Sequence, residues 1–221
     1  MTSLAPNHCR MYRPLRGGVL ILNANVRALG TLGLVATSDG RDRWLVTAHH
    51  VLARTGGPPL QDGEPVFQPG EGEGPFVAVT RADRADPDLD AAAALVIDGV
   101  DAVGEVLGLG ALAPVKEPAA GMRVVKSGIA TGITEGVVEQ VDAERIRIRL
   151  PPDFPSKYEL SEVSDSGAVW LEQGTMAPVA LHRAGEDAGV ETATGVPIRR
   201  VLEALRLQAV TPRVPAGPRP A

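Results

Sequence analysis

Short apolar runs alternate along the chain with clusters of glycine, proline, aspartate and serine. Runs this short, bounded by turn residues, read as β-strands rather than helices. Val19 to Val26 follows Gly17-Gly18. Thr31 to Thr37 and Arg43 to Thr47 flank Ser38-Asp39-Gly40, an Asp-Gly hairpin signature. Ala48 to Arg54 fits one helical turn. Glu64 to Gln68 and Pro75 to Arg81 are further strands, separated by the loop Pro69 to Gly74. Ala91 to Ile97 is rich in alanine, but its length and its Val96-Ile97 end favour a buried strand. Leu109 to Ala120 has no period and reads as a linker. Strands resume at Met122 to Ser127, Ile133 to Val141 and Arg145 to Leu150, the last with clean alternation of apolar and charged positions. Pro151 to Val163 is a loop, and Ala168 to Leu171, Met176 to Leu181 and Val190 to Thr194 complete the strands. Pro197 to Leu207 puts Ile198, Val201, Leu202 and Leu205 at helical spacing, with Pro197 at a permitted first-turn position.

The pattern predicts an all-β chain with about a dozen strands in two groups and one terminal helix packed across the outside. The expected architecture is two six-stranded antiparallel Greek-key β-barrels packed together. Residues 13–112 would form the first barrel, residues 120–207 the second with its helix, and residues 208–221 a Pro-rich flexible tail.

Composition narrows the chemistry. The chain has 221 residues, enough for this architecture and its core. Aromatic residues are 3%, so the core must be aliphatic. The net charge is −5 with no Lys/Arg run, which leaves nucleic acid without electrostatic support. No stretch reaches the length of a membrane span, and no hydrophobic leader precedes Gly18. The expected location is the cytoplasm. Cys9 is the one cysteine, so an intrachain disulfide is impossible. It lies in a segment expected to be mobile and reads as an inert thiol. No zinc-ligand spacing, P-loop or dinucleotide fingerprint is present, and Gly104, Gly108 and Gly110 read as turn glycines. No cofactor or metal is expected.

Three short segments remain: Thr47-Ala48-His49-His50-Val51, Asp88-Leu89-Asp90-Ala91 and Ser164-Asp165-Ser166-Gly167. Each alone fits a bland reading, since Ser, Asp and Gly favour turns and Asp86, Asp88 and Asp90 fit a solvated acidic loop. In the order His, Asp, Ser they match one of the chain orders known for a nucleophilic triad. A serine hydroxyl needs a base, and the base needs an orienting acceptor. Histidine suits the first role and a buried carboxylate the second.

The wording around these residues resembles the trypsin-like serine peptidases. Ser164-Asp165-Ser166-Gly167 is similar to that family's Gly-Asp-Ser-Gly, with serine where glycine is usual. Leu45 to Val51 resembles Leu-Thr-Ala-Ala-His-Val, with His49 where alanine is usual. Gly30-Thr31-Leu32-Gly33, the hairpin Val124 to Gly136, the pocket strand Val179 to Gly185 and Gly195-Val196-Pro197-Ile198 extend the likeness over about residues 13–207. Arg13 to Gly18 and Gln68-Pro69-Gly70 resemble a compact, disulfide-free bacterial branch.

The resemblance implies a serine endopeptidase working through an acyl-enzyme, with peptide or protein as substrate. Ser166 would be the nucleophile, His50 the base with His49 as the alternative, and Asp90 the orienting acid. The backbone N–H groups of Ser164, Asp165 and Ser166 would form the oxyanion hole. Leu160, His182 and Gly195 would contribute to the substrate pocket. No acid stands at Leu160, so strong preference for Arg or Lys is not indicated, although Glu159 and Glu162 flank it. In trypsin-like zymogens a new N-terminal amine pairs with the aspartate before the serine, here Asp165. Arg16 precedes Gly-Gly-Val-Leu, yet constitutive folding of the site, or control by a regulatory protein partner, is the expected mode. The alternative is a catalytically weak or inactive peptidase-fold module that binds a peptide or protein partner.

Overall fold

A computed structural model describes residues 5–54, 56–69, 76–154, 159–186 and 191–211. The first half runs through β1 (Leu15–Gly17), β2 (Leu20–Asn23), β3 (Leu29–Thr31), β4 (Leu34–Thr37), β5 (Trp44–Ala48), the single turn α1 (His49–Leu52), β6 (Pro65–Phe67), β7 (Phe76–Asp86), β8 (Ala91–Val96), β9 (Ala102–Val106) and β10 (Gly110–Ala111). The second contains β11 (Arg123–Gly128), β12 (Gly132–Val141), β13 (Ile146–Arg149), β14 (Val169–Glu172), β15 (Pro178–Glu186) and β16 (Thr192–Pro197). The helix α2 (Ile198–Ala204) and a final strand β17 (Gln208–Ala209) follow.

The two-barrel, all-β architecture with a terminal helix is the expected one. Its halves differ in closure. The second is a closed barrel in the order β11-β12-β13-β16-β15-β14. The first is an eight-stranded sheet, β17-β4-β5-β8-β7-β6-β2-β3, beside a small β1-β9-β10 sheet. Closure is replaced by a parallel pairing of β1 with β9 and by burial of Leu15 and Val106.

Several short strands escape the sequence pattern, among them β10, which puts Gly110 in a strand and not in a turn of a linker. β1 lies in the Pro/Gly-rich N-terminal segment. β9 contains Gly104, which is a strand residue and not a turn: a Cβ there would meet the Val210 carbonyl oxygen at 1.8 Å. β17 pairs Gln208 and Ala209 with Thr37 and Ala36 of the first half, so residues 208–209 are sheet and not tail. Residues 212–221, expected to be flexible, and most of the loop Pro69 to Gly74 lie outside the described residues. The N-terminal segment expected to be mobile is instead tied down. The Ala5 amide donates to Ile129 O at 2.7 Å, and Gln68 Nε2 donates to Arg10 O at 2.7 Å.

Aliphatic packing fits the scarcity of aromatics. Leu32, Val35, Leu45 and Ala92 fill the first half, and Val124, Ile146, Ile148 and Trp170 the second. A third cluster, with Leu34, Val46, Val169, Leu181, Ile198 and Val201, lies between them and under α2. At about 25 cal/mol per Å² of apolar surface, this shared cluster opposes separation of the halves and fixes the cleft between them. Backbones also meet there: a Cβ on Gly33 would lie 2.3 Å from the Gly167 carbonyl.

Candidate active site

β5 and β8 run antiparallel with Ala48 opposite Ala91. That register puts Asp90, just before β8, beside the start of α1. The His50 ring donates from Nδ1 to the Asp90 carboxylate, 2.9 and 3.0 Å from its two oxygens. The His50 backbone N–H donates to Oδ1 at 3.1 Å, and the His49 N–H donates to the Asp90 carbonyl at 3.0 Å. Asp90 has φ 53°, a left-handed conformation that these contacts hold in place. An ionised carboxylate only accepts, so the neutral imidazole carries its proton on Nδ1 and presents the Nε2 lone pair. His49 does not line the pocket that holds Ser166 but the larger one on the other side of His50, and burial lowers its pKa. Asp86 accepts from the Leu89 N–H at 3.0 Å and so closes the turn before Asp90.

Ser166 shares a pocket with His50. Its hydroxyl donates to the Arg183 carbonyl at 3.2 Å rather than to His50. Gly167 (φ 90°) makes the turn that projects it; a Cβ there would lie 2.0 Å from Thr47 Oγ1 and 2.5 Å from Thr31 O. Thr31 clamps the loop from the other half of the molecule. Its N–H donates to Ser166 O at 3.0 Å, its hydroxyl donates to Ser164 O at 2.9 Å, and that hydroxyl accepts from the Ile129 N–H at 3.1 Å.

Ser164 has φ 85°, the left-handed region that a side chain disfavours by about 1–2 kcal/mol. The amides of Ser164 and Ser166 make no backbone hydrogen bond among the described residues. The Asp165 amide does: it donates to Glu162 O at 3.0 Å, which closes the turn before the serine. Asp165 therefore leaves the predicted donor set.

The Asp165 side chain instead anchors the loop from beneath. It is fully buried against Lys126, with 2.8 Å from Nζ to Oδ2. Oδ2 also accepts from the Thr131 hydroxyl at 2.6 Å and the Glu162 amide at 3.2 Å. Oδ1 accepts from the Ala130 and Thr131 amides at 2.9 and 3.3 Å. Burial disfavours the Asp165 carboxylate, yet Lys126 and these donors outweigh it and hold its pKa below the ordinary range. Burial pulls the Lys126 ammonium below its ordinary range against the attraction of Asp165. Lys126 also donates to Thr131 Oγ1 at 2.9 Å and lies 5.5 Å from the Trp170 ring centroid.

Two pockets flank His50. The smaller, about 390 Å³, contains Ser166, His182, Thr192 and the carboxylates of Glu159, Glu162 and Glu191. His182 Nδ1 accepts from Trp170 Nε1 at 3.3 Å, which leaves the ring proton on Nε2. Burial and then Lys126 push the His182 pKa down to about 3, so the ring is neutral at physiological pH. The larger pocket, about 680 Å³, is lined in part by proline and alanine and includes His49 and Arg54. Arg183 borders both pockets, with Nε 3.7 Å from Asp90 Oδ2.

Two predicted pocket residues lie elsewhere. Leu160 is buried in the second-half core, and its carbonyl accepts from Thr134 Oγ1 at 3.0 Å. Gly195 faces Ile146 across β13 and β16, where a Cβ would meet Leu181 O at 2.8 Å. Glu191 and Thr192 line the smaller pocket, and Gly195 pairs with its lining residue His182. Sequence reasoning missed Lys126, Thr31 and Arg183. The signal for Lys126 was a charge directly after the apolar pair Val124-Val125. Among the described residues no group of His, Cys, Asp and Glu side chains converges as a metal site would. No described helix is long and apolar enough to cross a membrane.

No family model matches the chain, and no curated protein matches it. Solved structures do. Thermobifida fusca protease A aligns with a TM-score of 0.66 and 19% identity, over 89% of this chain and 98% of that one. A glutamic acid-specific serine protease that uses a histidine triad in substrate binding aligns at 0.69 and 19%, over 88% and 100%. Nocardiopsis protease aligns at 0.65 and 18%, over 89% and 98%. The chain thus has the fold of the compact bacterial chymotrypsin-like serine proteases.

Proposed function

We propose that this protein is a serine endopeptidase with His50, Asp90 and Ser166 as its triad. The observation that carries the reading is the His50 Nδ1 to Asp90 bond at 2.9 Å, which leaves Nε2 as a base in the pocket that holds Ser166. His50 takes the hydroxyl proton as Ser166 Oγ bonds to the substrate carbonyl carbon. The carbonyl oxygen gains the charge and receives the Ser164 and Ser166 N–H groups. His50 then delivers its proton to the leaving nitrogen, the C–N bond breaks, and an acyl-enzyme remains. Water attacks that ester with His50 again as base, and Ser166 recovers its proton. The resting bond from Ser166 to Arg183 O must break first, and catalytic hydrogen bonds commonly tighten only with substrate bound.

The Lys126 to Asp165 pair supports a site assembled without cleavage, because the acid that would await a new N-terminal amine already has an internal ammonium partner. Arg16 is committed to β1 and pairs with Glu105 at 2.9 Å. Mass spectrometry that finds activity only after cleavage following Arg16 would overturn this part. The reading as a whole is tested by incubating an unstructured protein with wild type and Ser166→Ala and mapping new termini. Cleavage by wild type alone is expected. Equal cleavage by both would sink the assignment, and none by either would favour the peptide-binding module, for which the Ser166 to Arg183 bond and the strained Ser164 are the supporting observations.

A further inference from the structure

The larger pocket beside His50 has an uneven charge. Its walls are apolar, with Pro59, Leu60 and Ala85 among them, and its cations are the guanidinium groups of Arg54 and Arg183. Its one lining carboxylate, Asp90, is already engaged by the ring and backbone of His50. Asp86, close enough to act on His49, accepts from the Leu89 amide. Arg54 is exposed, and among the described residues no carboxylate lies in ion-pair reach of it. Arg183 reaches this place through an irregularity. The register between β15 and β16 slips between His182 and Ala184, and a bulge of that kind re-aims the side chain it carries. The guanidinium forms an ion pair with Asp90 at 3.7 Å, too long for a hydrogen bond, and is 33% exposed. Its donors are therefore open to another acceptor.

The smaller pocket is the opposite: Glu159, Glu162 and Glu191 line it together with the same Arg183. Arg183 and Ala184 belong to both pockets. In an extended peptide successive side chains point to opposite sides, so a strand lying along this edge presents neighbouring residues to the two pockets in turn.

Resting on the peptidase reading of the cleft, we propose that the larger pocket is an anion-accepting subsite. It takes the carboxylate of an aspartate or glutamate side chain adjacent to the residue held in the glutamate-walled pocket. Arg183 and Arg54 bind that carboxylate, a geometry for which the planar guanidinium is suited. The proline and alanine walls contact its methylene groups.

The test uses the whole protein and short peptides, acetylated and amidated so that only side chains carry charge. Each position is scanned with Asp against Asn and Glu against Gln. Cleavage is read as kcat/KM, and binding of labelled peptides is read by fluorescence anisotropy, so the acid-to-amide ratio is defined whether or not the serine reacts. At one position the acid is expected to win by about tenfold, the scale of one charge-assisted hydrogen bond. The ratio should fall below about twofold in Arg54→Met/Arg183→Met, stay high in Arg183→Lys, and shrink in concentrated salt. Should Arg183→Met not fold, Arg54→Met alone, at an exposed position, carries the comparison. A wild-type ratio of one or less at every position overturns the proposal, as does a preference that survives the double variant. Fluorophosphonate labelling separates the two levels. A labelled protein without acid preference loses the subsite and keeps the peptidase reading. An unlabelled protein that still prefers the acid keeps the subsite and loses the peptidase.

Discussion

Two aspartates hold the site, and they are treated in opposite ways. Asp90, from the open first half, faces the cleft and accepts from His50, with its side chain 11% exposed. Asp165, from the closed second half, is sealed with Lys126 and surrounded by donors from Thr131, Ala130 and Glu162. The contrast separates two tasks. On the proposed peptidase reading Asp90 stabilises a charge that appears only during the reaction, and its partner is the His50 ring. Asp165 holds a loop still, so its partner is a sealed ammonium and its lone pairs are filled by fixed donors. A buried pair of this kind adds little stability over an apolar substitute, but removing one member leaves an uncompensated charge.

Asp90→Asn should therefore give the largest change in rate and a small one in stability. A drop in kcat of about 10⁴ is the scale known for neutralising the acid of such a triad. Chemical denaturation of the same variant should shift by no more than about 1–2 kcal/mol. A variant that unfolds instead would put the two aspartates in one class. Lys126→Met should do the reverse and cost about 3–5 kcal/mol of stability through the buried Asp165. Its loss of serine reactivity should follow from disorder of the Ser164 to Ser166 loop, visible in hydrogen exchange.

The pH dependence of stability is the next effect in size. His182 has its pKa lowered to about 3 from 6.5, so the fold holds the neutral ring. The unfolded chain binds a proton between those values that the native protein does not. Stability contributed by this group is complete above pH 6.5 and is lost as pH falls toward 3. Thermal melts should show Tm decreasing through that window, and His182→Phe should flatten the slope. A slope identical in the variant would remove His182 as its source. Ser164→Gly should give the smallest change, a gain of about 1 kcal/mol from relief of the left-handed serine, with activity kept or raised. A loss of stability would mean that the serine hydroxyl contributes something its backbone strain conceals.

The parts of the site legible in the sequence were those set by short-range wording. His50, Asp90 and Ser166 stood in motifs whose turn and strand context could be read directly, and Gly167 was interpretable as the turn that projects the serine. Strands with alternation, such as Ile146–Arg149, were equally plain. Other features depend on distant pairings. Lys126 and Asp165 meet only because β11 is next to β14 in the closed barrel, just beyond the serine loop. Thr31 reaches that loop from the other half. Arg183 comes close to Asp90 beside a register slip of β15 against β16, which no local pattern in the sequence signals. β17 was invisible for a related reason: two residues make no pattern, and only β4 explains them.

The central claim is that Ser166 and His50 form a competent nucleophile and base. It is tested most directly by labelling wild type, Ser166→Ala and His50→Ala with a fluorophosphonate probe, which reacts quickly only with an activated serine. The account predicts rapid stoichiometric labelling of the wild type, none of Ser166→Ala, and a severe loss in His50→Ala. A folded wild type that stays unlabelled, or a His50→Ala variant that labels as fast as wild type, would contradict it.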